Sequence, residues 1–434
     1  PTLPVTETKH GLVLGDAIQT ESDGEPDTWA GRWLRLTDDH LRLDACGLLA
    51  CYLRVTESGR WASSSPEILR SLAPELPLQE DRLEKGYRYM DWYPPPHSAI
   101  AGIERLLPSQ ALPLDGGPLE PVRLAAADGE LSLEEVIERW SVRLIACMEN
   151  VAAAAAARGG RPWLALTSGR DSRVLLAALQ AAGIDAMTFT FHSAGTSTGD
   201  REVPQLLASA AGLEHVAIPQ PKMDPARAAE FDRHVACTFV GSARSQYASR
   251  RWEFAQPEDL VIEGGCLEAI RGYYWPRLPR TMPPTAAEAT RVIVERFPTK
   301  RPAGVRAWVD WMLGPGHQHG MDWRDRFYIE QRAGGWISAG RQGFDLTGRR
   351  MVLPANCHAV LSDALSLPAP LRARAVLQDA FVRRLAPELA DHPYNPGSKK
   401  ERRKARRAAK VDGAVAGRTT FISRLRRAVR RRAR

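Results

Sequence analysis

Between Pro162 and Gly265 short apolar runs alternate with segments of helical period, and no other feature constrains the fold as strongly. The runs 163–167, 186–192, 215–218 and Leu260-Val261-Ile262 are too short for helices and read as strands. Between them, 171–182 and 200–211 repeat their apolar residues at helical spacing and stop at Gly183 and Gly212. Such a succession builds a parallel sheet covered by helices, with ligands at the carboxyl ends of the strands. Upstream, Ser132 and Glu135 have capping-box spacing. Val136, Ile137, Trp140, Leu144, Ile145 and Met148 then form a helical stripe that stops at Gly159-Gly160.

The first strand–helix junction reads LALTSGRDSR. A phosphate site needs converging backbone N–H groups, small residues that let them approach, and a helix N-terminus behind them. Thr167-Ser168-Gly169-Arg170-Asp171-Ser172 supplies all three. It is neither GxxxxGK[ST] nor GxGxxG. An ordinary β–α turn capped by Asp171 or Ser172 fits the same spacing, so on residues alone turn and cradle both stand.

Up to about residue 125 the chain has a different texture. WLRLTDDHLRLD (33–44) reads as two strands around an Asp-Asp turn, and LLACYLRV (48–55) and GRWASSS (59–65) continue in that style. The proline-rich 93–115 reads as a surface crossing into the next domain. The expected division is 1–125, 126–398 and a basic tail, 399–434. At 434 residues two domains are the natural expectation.

The tail holds 16 Lys or Arg against Glu401 and Asp412, a net of +14, so the +8 of the whole chain leaves −6 for the first 398 residues. Phe421, Leu425 and Val429 share a helical stripe among arginines, a pattern suited to an anionic leader peptide, membrane surface or RNA. The chain contains no run of 18 apolar residues and its first residues lack a signal-peptide core. Its six cysteines (46, 51, 147, 237, 266, 357) form no CxxC pair. The expectation is a cytoplasmic protein with a route to a membrane surface through its tail. His317 and His319 lack the spacing of a metal site.

LTSGRDSR resembles the pyrophosphate loop of the N-type ATP pyrophosphatases, strand-[ST]-G-G-x-D-S-helix, with Ser168 in place of the first glycine. Residues 33–70, 102–115, 186–218, LVIEGGCLEAIRGYY (260–274) and 351–381 are similar, in order, to segments of asparagine synthetase-like proteins. The resemblance implies an Ntn-hydrolase-like sheet domain followed by a PP-loop (HUP-type) α/β synthetase domain with a helical close.

It further implies ATP and Mg2+, adenylation of a substrate carboxylate, and displacement of AMP by an amine. By the same resemblance Thr167, Ser168, Gly169, Arg170, Asp171 and Ser172 cradle pyrophosphate, and adenine lies near Leu166, Phe189 and Gly264. Asp171 is the first metal ligand. Glu268 is the second when Gly264 is set on the family's loop glycine; the other register puts Leu267 there. Lys399, or Lys400 beside it, answers to the family's late lysine, and Glu330 and Arg332 are candidates for the acceptor pocket. Asp200 reads as a helix N-cap.

Glutamine-dependent members use an N-terminal cysteine, whereas residue 1 is Pro1 and the first cysteine is Cys46, expected in a strand region. The implied amine is therefore ammonia or a substrate amine, as in the β-lactam synthetases and lasso-peptide cyclases. The acceptor would be a small-molecule, sugar-acid or peptide carboxylate. A tRNA-modifying PP-loop enzyme and a degenerate nucleotide-binding scaffold are the alternatives.

Overall fold

A computed structural model describes residues 3–396 except 23, 58, 78–89, 91, 126–128, 194–195, 220 and 236–240. The architecture is mixed α/β, with antiparallel sheets first, a parallel sheet in the middle and helices towards the C-terminus. The first part contains β1 (Val5–Thr8), β2 (Gly11–Gln19), β3 (Trp29–Leu36), β4 (His40–Leu43), β5 (Tyr52–Thr56), β6 (Gly59–Ser63), α1 (Pro66–Ser71), β7 (Glu104–Arg105), β8 (Gln110–Pro113) and β9 (Glu120–Pro121). They form sheets of order β1-β2-β3-β4-β8-β9 and β6-β5-β7.

The expected hairpin around Asp38 is present as β3 and β4, but three other expectations change. Residues 48–51 precede the strand, which begins at Tyr52. Cys46 sits in a turn, because the buried Asp44 carboxylate gathers the amides of Trp33, Leu48 and Leu49 at 3.2, 2.8 and 2.8 Å and bends the chain around itself. Residues 93–115 do not cross the surface: Ala99, Ile100, Ile103, Leu106 and Leu107 are buried and the segment supplies β7 and β8. Prolines masked an apolar run that has no other place to go than the core.

The chain continues through α2 (Leu133–Ala156), β10 (Pro162–Ala165), α3 (Arg170–Ala181), β11 (Met187–Phe191), α4 (Thr198–Ala210), β12 (Glu214–Ile218), α5 (Pro225–Val235), α6 (Gly241–Ala248) and β13 (Leu260–Ile262). The capping box on α2 is as the spacing predicts: the Ser132 hydroxyl accepts from the Glu135 amide while the Glu135 carboxylate accepts from the Ser132 amide. Its predicted stripe is buried at Val136, Ile137, Trp140, Leu144 and Met148, with Ile145 only half-buried.

Next come α7 (Ala286–Arg296), α8 (Pro302–Leu313), α9 (Trp323–Phe327), a π-helical stretch (Tyr328–Ile337), α10 (Ser338–Asp345), β14 (Arg350–Val352), α11 (His358–Leu365), α12 (Ala369–Ala373), α13 (Val376–Leu385) and α14 (Pro387–Ala390). The parallel sheet has the order β12-β11-β10-β13-β14. From β10 the chain therefore builds outward through β11 and β12, then returns to the other side of β10 for β13 and β14. The strand order reverses between β10 and β13, and a crevice opens at such a switch point beyond the carboxyl ends of the strands.

One buried cluster runs through both parts, joining Ile18, Cys46, Leu48 and Trp92 to Trp140, Leu164, Val261 and Leu353. No helix among the described residues is long and apolar enough to cross a membrane.

Candidate functional site

Residues 167–172 leave the end of β10 and enter α3, at the reversal. The expected caps are not the ones used. Gly169 is the N-cap, Asp171 and Ser172 lie inside the first turn, and no side chain caps the helix. By contrast Ser132, Ser197 and Thr285 cap α2, α4 and α7 with their hydroxyls. A first turn leaves its N–H groups without intrahelical partners, so α3 presents the amides of Arg170, Asp171 and Ser172 with no side chain committed to them.

The amides ahead of them are committed. Thr167 N–H donates to Ser172 Oγ at 3.1 Å, Gly169 N–H to Thr167 Oγ1 at 3.1 Å, and Ser168 N–H to Asp200 Oδ1 at 2.9 Å. Of the residues expected to cradle pyrophosphate, 167–169 therefore have their amides engaged, two within the turn and one by Asp200, whereas the amides of 170–172 have no side-chain partner. Asp200 is not the cap of α4. Ser197 caps it, and Asp200, three residues on, uses its carboxylate to accept from Ser168 N–H, Ser168 Oγ (2.7 Å) and Ser197 Oγ (2.9 Å). A serine rather than a glycine at 168 therefore has a bonded purpose.

Asp171 faces the loop that follows β13. Gly264 approaches it closely: a Cβ on it would lie a tight 3.3 Å from the Asp171 carbonyl carbon and from Ser172 N. Arg271 Nη2 donates to Asp171 Oδ2 at 2.6 Å, whereas Asp171 Oδ1 is buried with no hydrogen-bond partner. Burial pushes the Asp171 carboxyl up to about 6, and the Glu268 charge adds to the rise, against the lowering pull of Arg271 and Arg170. Glu268 is half-buried and accepts from Tyr328 Oη at 3.0 Å, while Leu267, the alternative position, is fully buried. Burial, then the Glu268 charge, hold the Tyr328 phenol well above its ordinary value. Asp171 and Glu268, far apart in sequence, are thus electrostatic neighbours.

Arg332 joins the far side of this group, lying over the rings of Trp336 at 3.9 Å and Tyr273 at 5.9 Å. Tyr273 in turn meets Tyr328 edge-on at 5.6 Å. Glu330 is elsewhere. Fully buried, it accepts from Arg326 Nε at 2.6 Å and Trp308 Nε1 at 2.7 Å and is hydrogen-bonded by Ser109. None of these partners belongs to the loop, and π-helical winding at 328–337 turns Tyr328 and Glu330 to different surroundings. Phe189 is buried among Trp163, Phe191, Trp252 and Phe254, and its carbonyl accepts from Leu166 N–H at 2.8 Å.

Sequence reasoning missed the closing strap. Asn395 N–H donates to Ser168 C=O at 3.1 Å, and the Tyr394 ring lies 4.2 Å from the Arg170 guanidinium and 3.9 Å from that of Arg173. Arg173, buried, also donates to the carbonyls of Leu389, His392 and Pro393. A Cβ on Gly199 would lie 2.7 Å from Pro396 Cδ. The two arginines flanking Asp171-Ser172 were the available signal, since a buried arginine demands several acceptors. Lys399, Lys400 and the tail lie outside the described residues.

No protein-family model matches the chain, and no curated protein matches it. Among solved structures, the NMN synthetase from Francisella tularensis is 14% identical, with a TM-score of 0.24, over 62% of this chain and 100% of that one. A likeness of that size is too slight to argue from.

Proposed function

We propose that the chain is an ATP-dependent carboxylate–amine ligase that releases AMP and pyrophosphate. What carries this reading is one convergence at the switch point: uncapped first-turn amides on α3 beside a buried carboxylate oxygen, Asp171 Oδ1, that has no partner.

The acceptor carboxylate attacks the α-phosphorus of ATP, the bond to the bridging oxygen breaks, and pyrophosphate leaves. An amine then attacks the acyl carbon, AMP departs with the bonding pair, and the amine proton is lost to solvent. Amides of Arg170, Asp171 and Ser172, with the positive end of the α3 dipole, stabilise the departing pyrophosphate. Asp171 and Glu268 fit a magnesium ion, being hard oxygen donors of which one keeps an unused, buried oxygen; when bound the ion offsets phosphate charge. The purine is proposed to lie against the strand-end backbone near Leu166, Phe189 and Gly264. Lys399, which lies outside the described residues, is proposed to neutralise the α-phosphate. Arg332 orients the acceptor; Glu330 is a structural group. The amine is ammonia or a substrate amine, and an anionic partner for the tail, a leader peptide, membrane surface or RNA, is part of the same proposal.

Full-length chain given Mg2+, ATP and a set of small-molecule, sugar-acid and peptide carboxylates should form AMP and pyrophosphate in equal amounts with one of them. ADP and phosphate as products would sink the reading. A nucleotide-binding scaffold without chemistry is the second reading, favoured by the Arg271 guanidinium on Asp171 Oδ2, where a cation is already supplied.

A further inference from the structure

A cavity of about 660 Å³ is lined by none of residues 167–172 or 263–272. It lies between β2, β3 and α1 on one side and α10 and the start of β14 on the other, with Arg158, just before β10, at its edge. Arg158 precedes β10 and Arg350 begins β14. The cavity therefore opens at the amino ends of the parallel strands, the opposite edge of the sheet from the Asp171 site.

The wall carries four arginines, Arg32, Arg158, Arg349 and Arg350, against three carboxylates, Asp16, Glu67 and Asp345, and Glu67 is held by Arg70. Arg32 is paired with Asp345 through two bonds of 2.7 and 2.8 Å, and Arg350 with Asp16. Arg158 and Arg349 are instead held by backbone carbonyls, of Glu258 and Pro257 and of Ala255 and Thr347 respectively. Glu253 and Asp259, which act on Arg349 through space, are themselves engaged, Glu253 by Arg227 and Arg250, and Asp259 by Trp163 and the Arg161 amide. Two guanidinium charges on the wall are thus left without a carboxylate bonded to them.

Polar atoms are also left over. Arg32 is 5% exposed, yet its Nε–H has no hydrogen-bond partner, nor has the Nε–H of Arg350. Buried donors are rarely left unmade in a native fold. Leu49, Ile68, Leu346 and Met351 complete the wall with apolar surface. The volume is that of a small-molecule site.

We propose that this cavity binds a small organic dianion, a dicarboxylate with a short apolar spacer, at a site separate from the loop. The two uncompensated guanidiniums take the carboxylates, the Nε–H groups of Arg32 and Arg350 complete their acceptance, and the spacer rests on the apolar wall. The inference does not depend on the function proposed for the loop.

Calorimetric titration of the full chain with glutarate, and with neutral glutaramide as control, tests it. The expected result is one saturable glutarate site, no glutaramide binding, and at least tenfold weaker glutarate binding in both Arg349→Gln and Arg158→Gln. Both variants keep a polar group at a half-buried position; circular dichroism checks their fold, and Ser71→Trp, at the exposed rim, blocks the cavity without touching the charges. Binding should survive in Asp171→Asn. Absence of saturable glutarate binding, equal binding of glutaramide, or unchanged affinity in Arg349→Gln and Ser71→Trp would overturn the proposal.

Discussion

Arg271 Nη2 stands 2.6 Å from one oxygen of Asp171 and leaves the other oxygen buried and unbonded. The carboxylate is half satisfied by a fixed cation and half available to a second one. Arg271 thus competes with any ion that Asp171 holds. Arg271→Gln should lower the Mg2+ concentration that half-saturates nucleotide binding by about threefold to tenfold, roughly the 1 kcal/mol scale of one partly exposed ion pair. Fluorescence titration with a labelled ATP at varied Mg2+ reads this directly.

Burial raises the Asp171 carboxyl to about 6 in the folded chain, above the ordinary 3.8. The folded state therefore binds the proton more tightly than the unfolded state, and stability falls as pH rises between about 4 and 6. Asp171→Asn has no such proton to lose. The melting temperature of the native chain should gain on that of Asp171→Asn as pH is lowered from 7 to 5, in the absence of metal and nucleotide. A constant difference across that range would mean that the carboxyl is not buried as described.

Gly264 sets the distance between the two halves of the site. A Cβ there meets backbone at 3.3 Å, which only a small shift of the α3 start can relieve. Gly264→Ala should cost about 1 kcal/mol of stability, at the low end of overpacking, while nucleotide affinity drops disproportionately. Gly264→Val should fail on both counts. Thermal melts and binding titrations on the same samples separate the two effects.

Glu330 distinguishes a structural carboxylate from a reacting one. It is enclosed by Arg326, Trp308 and Ser109, and breaking such a buried pair costs about 3–5 kcal/mol. Glu330→Gln should melt far lower yet, below its melting point, bind nucleotide with native affinity. Lost affinity in a folded variant would return Glu330 to the site.

Much of the architecture was legible because it is written in local spacing. The helix that Ser132 and Glu135 cap, the glycine stops at 183 and 212, and the runs that become β10 to β13 each depend on neighbours within a few residues. The site was legible only as residue types. That Asp171, not Ser168, carries the unmet valence depends on Asp200 reaching Ser168 across 32 positions and on Arg271 reaching Asp171 across 100. The strap at Tyr394–Pro396 and the partners of Glu330 are longer-range still, and no periodicity encodes them. The turn at Cys46 was hidden for the same reason: one buried aspartate organises it, and burial is not visible in a single chain.

On the proposed reading, Asp171 and the open amides of α3 hold the phosphates of a magnesium–nucleotide complex. The most direct test is equilibrium binding of a fluorescent ATP analogue to the full chain, with and without Mg2+, followed by displacement with pyrophosphate. Mg2+-dependent binding is expected, reversed by pyrophosphate and weakened at least a hundredfold in Asp171→Asn. Binding of the same strength in Asp171→Asn, or binding that pyrophosphate leaves in place, would contradict it.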